Sequence, residues 1–580
     1  MNNKIIKSKN EKEMGCYIMA AIMLCNAAGC GGTNNPREQG TNTPGSAIET
    51  ADLQQQKILD DEVKEELGVG ELHGEGANPF RKQTEKAKIL YVKDFGAKGD
   101  GINNDGSPIR KAITTLKKAD PGSRLVFEPN TTYYVSSGDY ALLLQNMKDI
   151  IIQGENTTIL VKPIMGLCLV QNCNNIIIEG INFDYKTKPY AIADVISDRG
   201  DGVVHIRTDR SLNIRGTYKQ PTPDFFGLVD RQDGRYHVGI TSIKVINADE
   251  YIYEVRCNEG FAERDKRIKM MLNERYQFIV PMPNVGQAIE QGLTIIENKD
   301  FTMQNCNIWS AAKFMFFLRG NEGIVKFRNV HLSPAPGEED AHMVGWRDGF
   351  HCKENRAQLV WENCSAKYLY DDIFNISASM LEVQKIEGET LHLYWQETGS
   401  AYTQIRKGDL ISFFDTASGE RIGTGTVKRA IPSDSIMKVI LEEPLQGIKE
   451  GESCKAVVDS LAAPGSVIWN CNFHGTFRFR SPIYIVGSRL HVTRMWLNVE
   501  APWEGPVTNH VLFSNCEFTF DNEKEVFIHV GSKNDKWEKA DDPYRVRKII
   551  FFHCKIRQNA AEIGEAEQKY DEVRFQQCYE

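Results

Sequence analysis

The sequence predicts an all-β chain, a right-handed parallel β-helix with two small β-barrel domains inserted into it. Three observations carry that prediction. First, the frame Asn146-Met147-Lys148-Asp149-Ile150-Ile151-Ile152-Gln153-Gly154 returns 26 residues later as Asn172–Gly180, and a frame opening at Asn298 returns 23 residues later at Asn321. Second, apolar and polar residues alternate with a period of two and β-branched side chains abound, which selects strands over helices. Third, each alternating strand leads to a small residue or a cysteine and then a second short strand, as at Cys306, Cys364, Cys471, Cys516 and Cys554. A repeat in the twenties with two or three strands per unit describes a β-solenoid. Leucine-rich frames are absent, and propeller blades need about 40 residues or more per repeat.

Taken in order, the amino terminus reads as an export signal. Lys4, Lys7, Lys9 and Lys12 precede an apolar run from Gly15 to Leu24, too short to span a bilayer as an anchor. Ala27-Ala28-Gly29-Cys30 resembles a bacterial lipobox, so residues 1–29 are expected to be a lipoprotein-type signal peptide and Cys30 the lipidated residue. Ordinary cleavage nearby is the alternative. The expected location is the periplasm or outer membrane of a Gram-negative bacterium, with membrane contact only through the lipid. Residues 30–86 are polar, with one helix-like patch at Gln54–Leu67, and read as a flexible tether.

The solenoid is expected over 87–580. Val92–Gly101, Asp105 and the helical stretch Ile109–Lys117 resemble the opening of pectin-lyase-like β-helices, where a helix covers the first open coil. The glycines and aspartates there read as turn and cap residues, since their spacing fits no phosphate-binding fingerprint. Residues 187–290 and 381–461 lack the repeat frame. They carry hairpin patterns, such as Lys407–Phe414 before a turn at Ser418-Gly419, and read as inserted β-barrels.

A net charge of −9 and a pI near 5.9 exclude nucleic acid and anionic membranes as natural partners. They disfavour a polyanionic substrate and suit a neutral sugar. The 14 cysteines, six of them at equivalent frame positions, read as reduced members of a buried ladder. No CxxC pair occurs, so neither a metal site nor a cofactor is expected.

Asp348 lies in Gly345-Trp346-Arg347-Asp348-Gly349-Phe350-His351, and Asp371-Asp372 follow 23 residues later, one coil on. Side chains one coil apart stack on the same wall. Three carboxylates crowded there are costly unless the chemistry uses their repulsion, as glycoside hydrolysis does by keeping one protonated while others hold a water. Adjacent residues on a regular strand face opposite sides, so Asp371 and Asp372 share a cleft only if the backbone bends. Neighbouring coils stand about 4.8 Å apart, and diverging side chains can widen that to the roughly 6.5–9.5 Å of inverting enzymes, with a retaining pair at about 5 Å the alternative. Trp346, Arg347, His351, Lys353, Arg478 and Arg480 are the candidate substrate-binding residues. His351 and Lys353 could bind sugar hydroxyls or orient the acid, with a structural histidine the plain alternative for His351. Arg478 and Arg480 alternate with Phe477 and Phe479 and should face one way, with solvated surface the plain alternative. Glu500, Trp503 and Glu504 are weaker subsite candidates, and Glu338-Glu339-Asp340 reads as an exposed loop.

The Trp-Arg-Asp-Gly-Phe-His segment, the Asp-Asp pair and the interrupted β-helix over roughly 88–580 resemble glycoside hydrolase family 110. The resemblance implies an exo-acting, inverting α-1,3-galactosidase acting on blood group B or linear Galα1-3Gal glycans, and a homodimer. It implies Asp348 as general acid and Asp371 with Asp372 as base. The alternatives are a polygalacturonase-like hydrolase and a non-catalytic surface glycan-binding solenoid.

Overall fold

A computed structural model describes residues 76–162, 165–219, 225–230, 235–257, 268–270, 272–273, 276–281, 292–310, 314–338, 344–345, 347–394, 405–433, 436–499, 504–505, 510–521, 527–532, 546–557, 561–563 and 570–579. The signal segment, Cys30, the Gln54–Leu67 patch, Trp346, Glu500, Trp503, Glu339 and Asp340 lie outside the described residues.

Short strands pair in parallel with their counterparts one coil on, and this produces the β-helix. On one wall, Gly166–Gln171, Leu293–Ile296, Phe316–Arg319, Phe350–Lys353 and Asp372–Ser379 follow one another in register. On another, Lys299–Ile308, Glu322–Leu332, Gln358–Glu362 and Ser466–Trp469 do the same. Successive coils lie about 4.8 Å apart, so like residues at one position stack. Phe316, Phe350 and Phe374 form such a column inside the solenoid, with centroids 4.9 and 5.2 Å apart and near-parallel rings.

The asparagines of the repeat sit at its corners. Asn146, Asn172, Asn305, Asn329, Asn363 and Asn470 all have φ of 51–54°, a left-handed conformation that Asn tolerates. A second set, Asn298, Asn321 and Asn355, is buried and forms a ladder in which each side-chain oxygen accepts the N–H of the coil before. At this corner the side-chain ladder satisfies the N–H groups of Cys173, Asn298 and Asn321 without water.

Cysteine stacking differs from expectation in one member. Cys364 N–H donates to Cys471 Sγ and Cys471 N–H to Ser488 Oγ, and this column continues through Cys516, Cys554 and Cys578. Cys306 lies in it through Val330. Cys173 instead occupies the corner of Asn298, because Asn174 pairs with Lys299. The cysteines among the described residues are unbridged.

The helix Gly106–Leu116 covers the first coil with Ile109, Ala112, Ile113 and Leu116 buried. The Asp105 carboxylate accepts the N–H groups of Lys98 and Gly99, at 2.6 and 3.1 Å, and so pins the glycine-rich loop. The tether boundary needs correction. Ala77 is buried against Ile151 and Ile177, and the Ala77 and Asn78 N–H groups bond Thr302 and Asn175, so the chain is docked on the solenoid well before residue 86.

Within 187–290 the described strands run from Tyr190–Gly200 to Tyr276–Pro281 in a seven-stranded antiparallel sheet. Its pairings close on themselves through the 13-residue strand Arg235–Asn247, which reaches both Phe225–Asp230 and Ile252–Cys257. The second insert is a closed six-stranded barrel from Leu381–Glu387 to Gly451–Val457. Arg356 on the solenoid ties to it through Asp409, 2.7 Å away.

Candidate active site

Register determines which side chains meet on the wall. Phe350, Phe374 and Phe477 point inward on successive coils, so the residues after them point outward: His351, Asn375 and Arg478, then Trp496 and His529. Two residues before this column, Asp348 lies over Asp372, whose carbonyl accepts the Gly349 N–H at 2.8 Å. Gly349 is required here. A Cβ at that position would lie 2.7 Å from Leu369 Cδ1 and 2.9 Å from the Ile373 carbonyl oxygen.

The backbone bends where the sequence demanded a bend. Tyr368 takes φ of 61°, Leu369 bridges to Gly345, and Asp371 precedes the strand Asp372–Ser379. Asp372 then pairs with Thr476 while Phe374 pairs with Phe477, so Ile373 is an extra residue in a bulge. The bend and bulge turn both carboxylates toward Asp348. One oxygen from each of Asp348, Asp371 and Asp372 lies within 4.8 Å of the others. Of the two spacings the sequence left open, the closer one is found, because in-register stacking holds the carboxylates near coil spacing.

Asp348 and Asp372 are 2% and 3% exposed, whereas the Asp371 side chain keeps 21%. Burial, and then the charge of Asp371, push the Asp348 carboxyl well above the ordinary range, against the pull of Arg347 and Arg478. The same two causes lift Asp372, also against Arg478. His351 Nδ1 lies 2.6 Å from Asp348 Oδ2, and its ring stacks on Phe314 with centroids 4.2 Å apart. Arg347 reaches Asp371 at 3.4 Å and Arg478 reaches Asp372 Oδ2 at 2.6 Å. Asp372 Oδ1 is buried and has no hydrogen-bond partner among the described residues. A buried carboxylate oxygen of this kind is suited to accept from a water or a substrate hydroxyl.

Two candidates have a different role from the one expected. Lys353 and Arg480 are buried and form ion pairs with Glu504. Glu504 arrives opposite Ser379 on a short antiparallel strand and also accepts from Asn375 Nδ2 at 3.2 Å. Burial opposes its charge, but Lys353 and Arg480 outweigh that and hold it well below the usual glutamate range. The expectation that Lys353 and Arg480 face hydroxyls or solvent is therefore corrected, because a buried cation needs a buried anion. Arg478 is held by Asp372 in the same way. The alternation with Phe477 and Phe479 was right about direction but could not reveal that carboxylates lie on that side.

The reading missed Asn375 and Phe314 and underrated Glu504. Asn375 was reachable, since it lies 24 residues after His351, one coil on. Glu504 was not, because its strand joins by an irregular antiparallel pairing. The first insert packs Tyr190 and Ile279 on Tyr370, beside Asp371, and the second starts at Leu381 directly after the Asp372 strand. Three clustered carboxylates could in principle hold a divalent cation. Here Arg347 and Arg478 already supply positive charge at contact distance, which disfavours a cation between them.

No protein-family model matches the chain. It is 23% identical over 433 residues to Alpha-1,3-galactosidase B of Bacteroides thetaiotaomicron, a match covering 68% of each chain. That relative bears out the resemblance drawn from the sequence. Among solved structures, the chain is similar to an exopolygalacturonase from Thermotoga maritima, with 11% identity, 86% of this chain and 91% of that one covered, and a TM-score of 0.34. A Family 28 exopolygalacturonase from Yersinia enterocolitica gives 11% identity, 86% and 78% coverage, and a TM-score of 0.32.

Proposed function

We propose that the chain is an exo-acting, inverting glycoside hydrolase that releases terminal α-1,3-linked galactose. The carrying observation is the buried, raised Asp348 beside Asp372, whose Oδ1 lacks a partner among the described residues. The relationship to Alpha-1,3-galactosidase B supports the substrate class. In this reading Asp348 gives its proton to the glycosidic oxygen as the bond to the anomeric carbon breaks. A water adds to that carbon and loses its proton to Asp372, with Asp371 as second acceptor. A lifted carboxyl is a stronger base once ionised, which suits Asp372 to that task. His351 orients Asp348. The first insert packs on Tyr370 beside Asp371 and the second begins directly after the Asp372 strand, and this proximity favours a chain end over a chain middle.

A uronate-cleaving hydrolase is the weaker reading. Arg347, Lys353, Arg478 and Arg480 are each paired with a carboxylate, so a uronate would have to displace an existing partner. Incubation with Galα1-3Gal and with its fucosylated counterpart, assayed for free galactose, tests the proposal. Release from neither, with turnover of oligogalacturonate, would favour the uronate reading.

The dependence of kcat/KM on pH should be bell-shaped. Asp348 must keep its proton, so activity falls as pH rises through a value above the ordinary carboxyl range near ~4. Asp372 must lose its proton, so activity also falls in acid, and its own upward shift moves that limb up too. Asp348 and Asp372 are close enough that the two limbs belong to the pair and not to either residue alone. A rate flat from about pH 4 to 9 would contradict both roles.

Inversion rests on the two adjacent carboxylates and not on spacing, which lies near the ~5 Å typical of retaining pairs. Proton NMR in the first minutes of reaction should therefore show β-galactose before mutarotation. Initial α-galactose would make Asp371 or Asp372 a nucleophile.

A further inference from the structure

On the wall before the corner at Gly475, His474 and His491 occupy the same position on successive coils, followed by Thr519 on the next. Asp521 lies two residues beyond Thr519. The imidazole centroids are 4.0 Å apart. Asp521 Oδ1 is 2.6 Å from His491 Nε2 and 4.0 Å from His474 Nε2. All three side chains are roughly a quarter to a third exposed. We propose that His474, His491 and Asp521 bind a first-row divalent metal ion of the zinc type and thereby tie three successive coils together.

Zinc takes imidazole nitrogen at about 2.0–2.1 Å and carboxylate oxygen at about 2.0–2.2 Å, so tetrahedral donors stand about 3.4 Å apart. The two distances here bracket that figure, and one ligand atom from each residue lies within 4.8 Å of the others. Small side-chain rotations close the set. Without metal, His491 Nε2–H donates to Asp521 Oδ1 at 2.6 Å; a metal ion displaces that proton, and Nδ1, 2.9 Å from Thr519 Oγ1, then donates to the hydroxyl and orients the ring. An ordinary surface ion pair needs only one imidazole. Placing a second against it, centroid to centroid at 4.0 Å, is unfavourable if both are charged, and a metal ion resolves this by binding both as neutral rings. Two imidazoles and one carboxylate suit zinc, nickel or copper better than magnesium or calcium. The ion has a route in, since His474, His491, Thr519 and Lys367 line an open groove of about 650 Å³. The Lys367 ammonium lies 4.4 Å from the centroid of the Tyr368 ring, which it faces.

The test is zinc titration of the full chain after EDTA dialysis, by calorimetry and by thermal unfolding. Zinc should bind the wild type and raise its Tm. His474→Gln and His491→Gln should each weaken that binding by about 100-fold and remove the Tm rise. Both positions are at the surface, so each variant should keep the zinc-free Tm of the wild type. Asp372→Asn should bind zinc as the wild type does, which separates this site from the aspartate cluster. X-ray absorption should show nitrogen and oxygen neighbours. No uptake at micromolar zinc, sulfur neighbours, or histidine variants that bind normally would each overturn the proposal.

Discussion

Asp348→Asn is expected to lose about 10²–10⁴ of turnover on natural galactosides, because an amide cannot protonate the leaving oxygen. The loss should fall on kcat more than on KM, since the proton is needed as the bond breaks. Stability should move the other way or not at all. A carboxyl raised by burial costs the fold free energy once pH exceeds the unfolded value of ~3.9, because the native state must hold a proton that the unfolded chain releases; an amide is neutral without one and removes that cost. Steady-state kinetics with denaturant melts of the same preparation check both halves. A variant with more than a tenth of wild-type activity would end the assignment of Asp348 as acid. One that is inactive because unfolded would show instead that Asp348 and the His351 contact are structural.

Glu504→Gln is expected to be among the most destabilising single substitutions near the wall, by about 3–5 kcal/mol. The amide keeps the shape but leaves Lys353 and Arg480 buried without an anion. The sign follows from the lowered carboxyl. Its contribution is fully present above the unfolded glutamate value of ~4.3 and is lost as pH falls through the lower folded value. The difference between wild type and variant should therefore be large at neutral pH and shrink in strong acid. Chemical denaturation at several pH values measures it, and equal midpoints at pH 7 would rule out this role for the ion cluster.

The repeat was legible because its signals are local. Asparagine at a left-handed corner, alternating strands and a buried aromatic each leave a residue at a fixed phase, and the 26- and 23-residue frames follow from that. Both inserts were visible as stretches where the phase is lost. Cys173 shows the limit: Asn172-Cys173 looks like the later frames, yet it stands at another corner, because coils of different length let similar strings occupy different turns.

The site was legible in its three aspartates and obscure in its partners. The 23-residue interval put Asp348 and the Asp pair on one wall, and simple strand geometry demanded a bend at Asp371. Which way that bend turns depends on Ile373 being extra against Thr476–Phe477, a pairing with a segment about 100 residues away. The fates of Lys353, Arg478 and Arg480 likewise depended on Glu504 and Asp372, which come from other coils. Local sequence thus determined the coil, its phase and the residue types on each wall, because a solenoid repeats its short-range physics. Tertiary structure alone decided which charges neutralise one another and how close the carboxylates stand. Electrostatic partners are selected by distance through space, and an irregular strand and a single bulge set those distances.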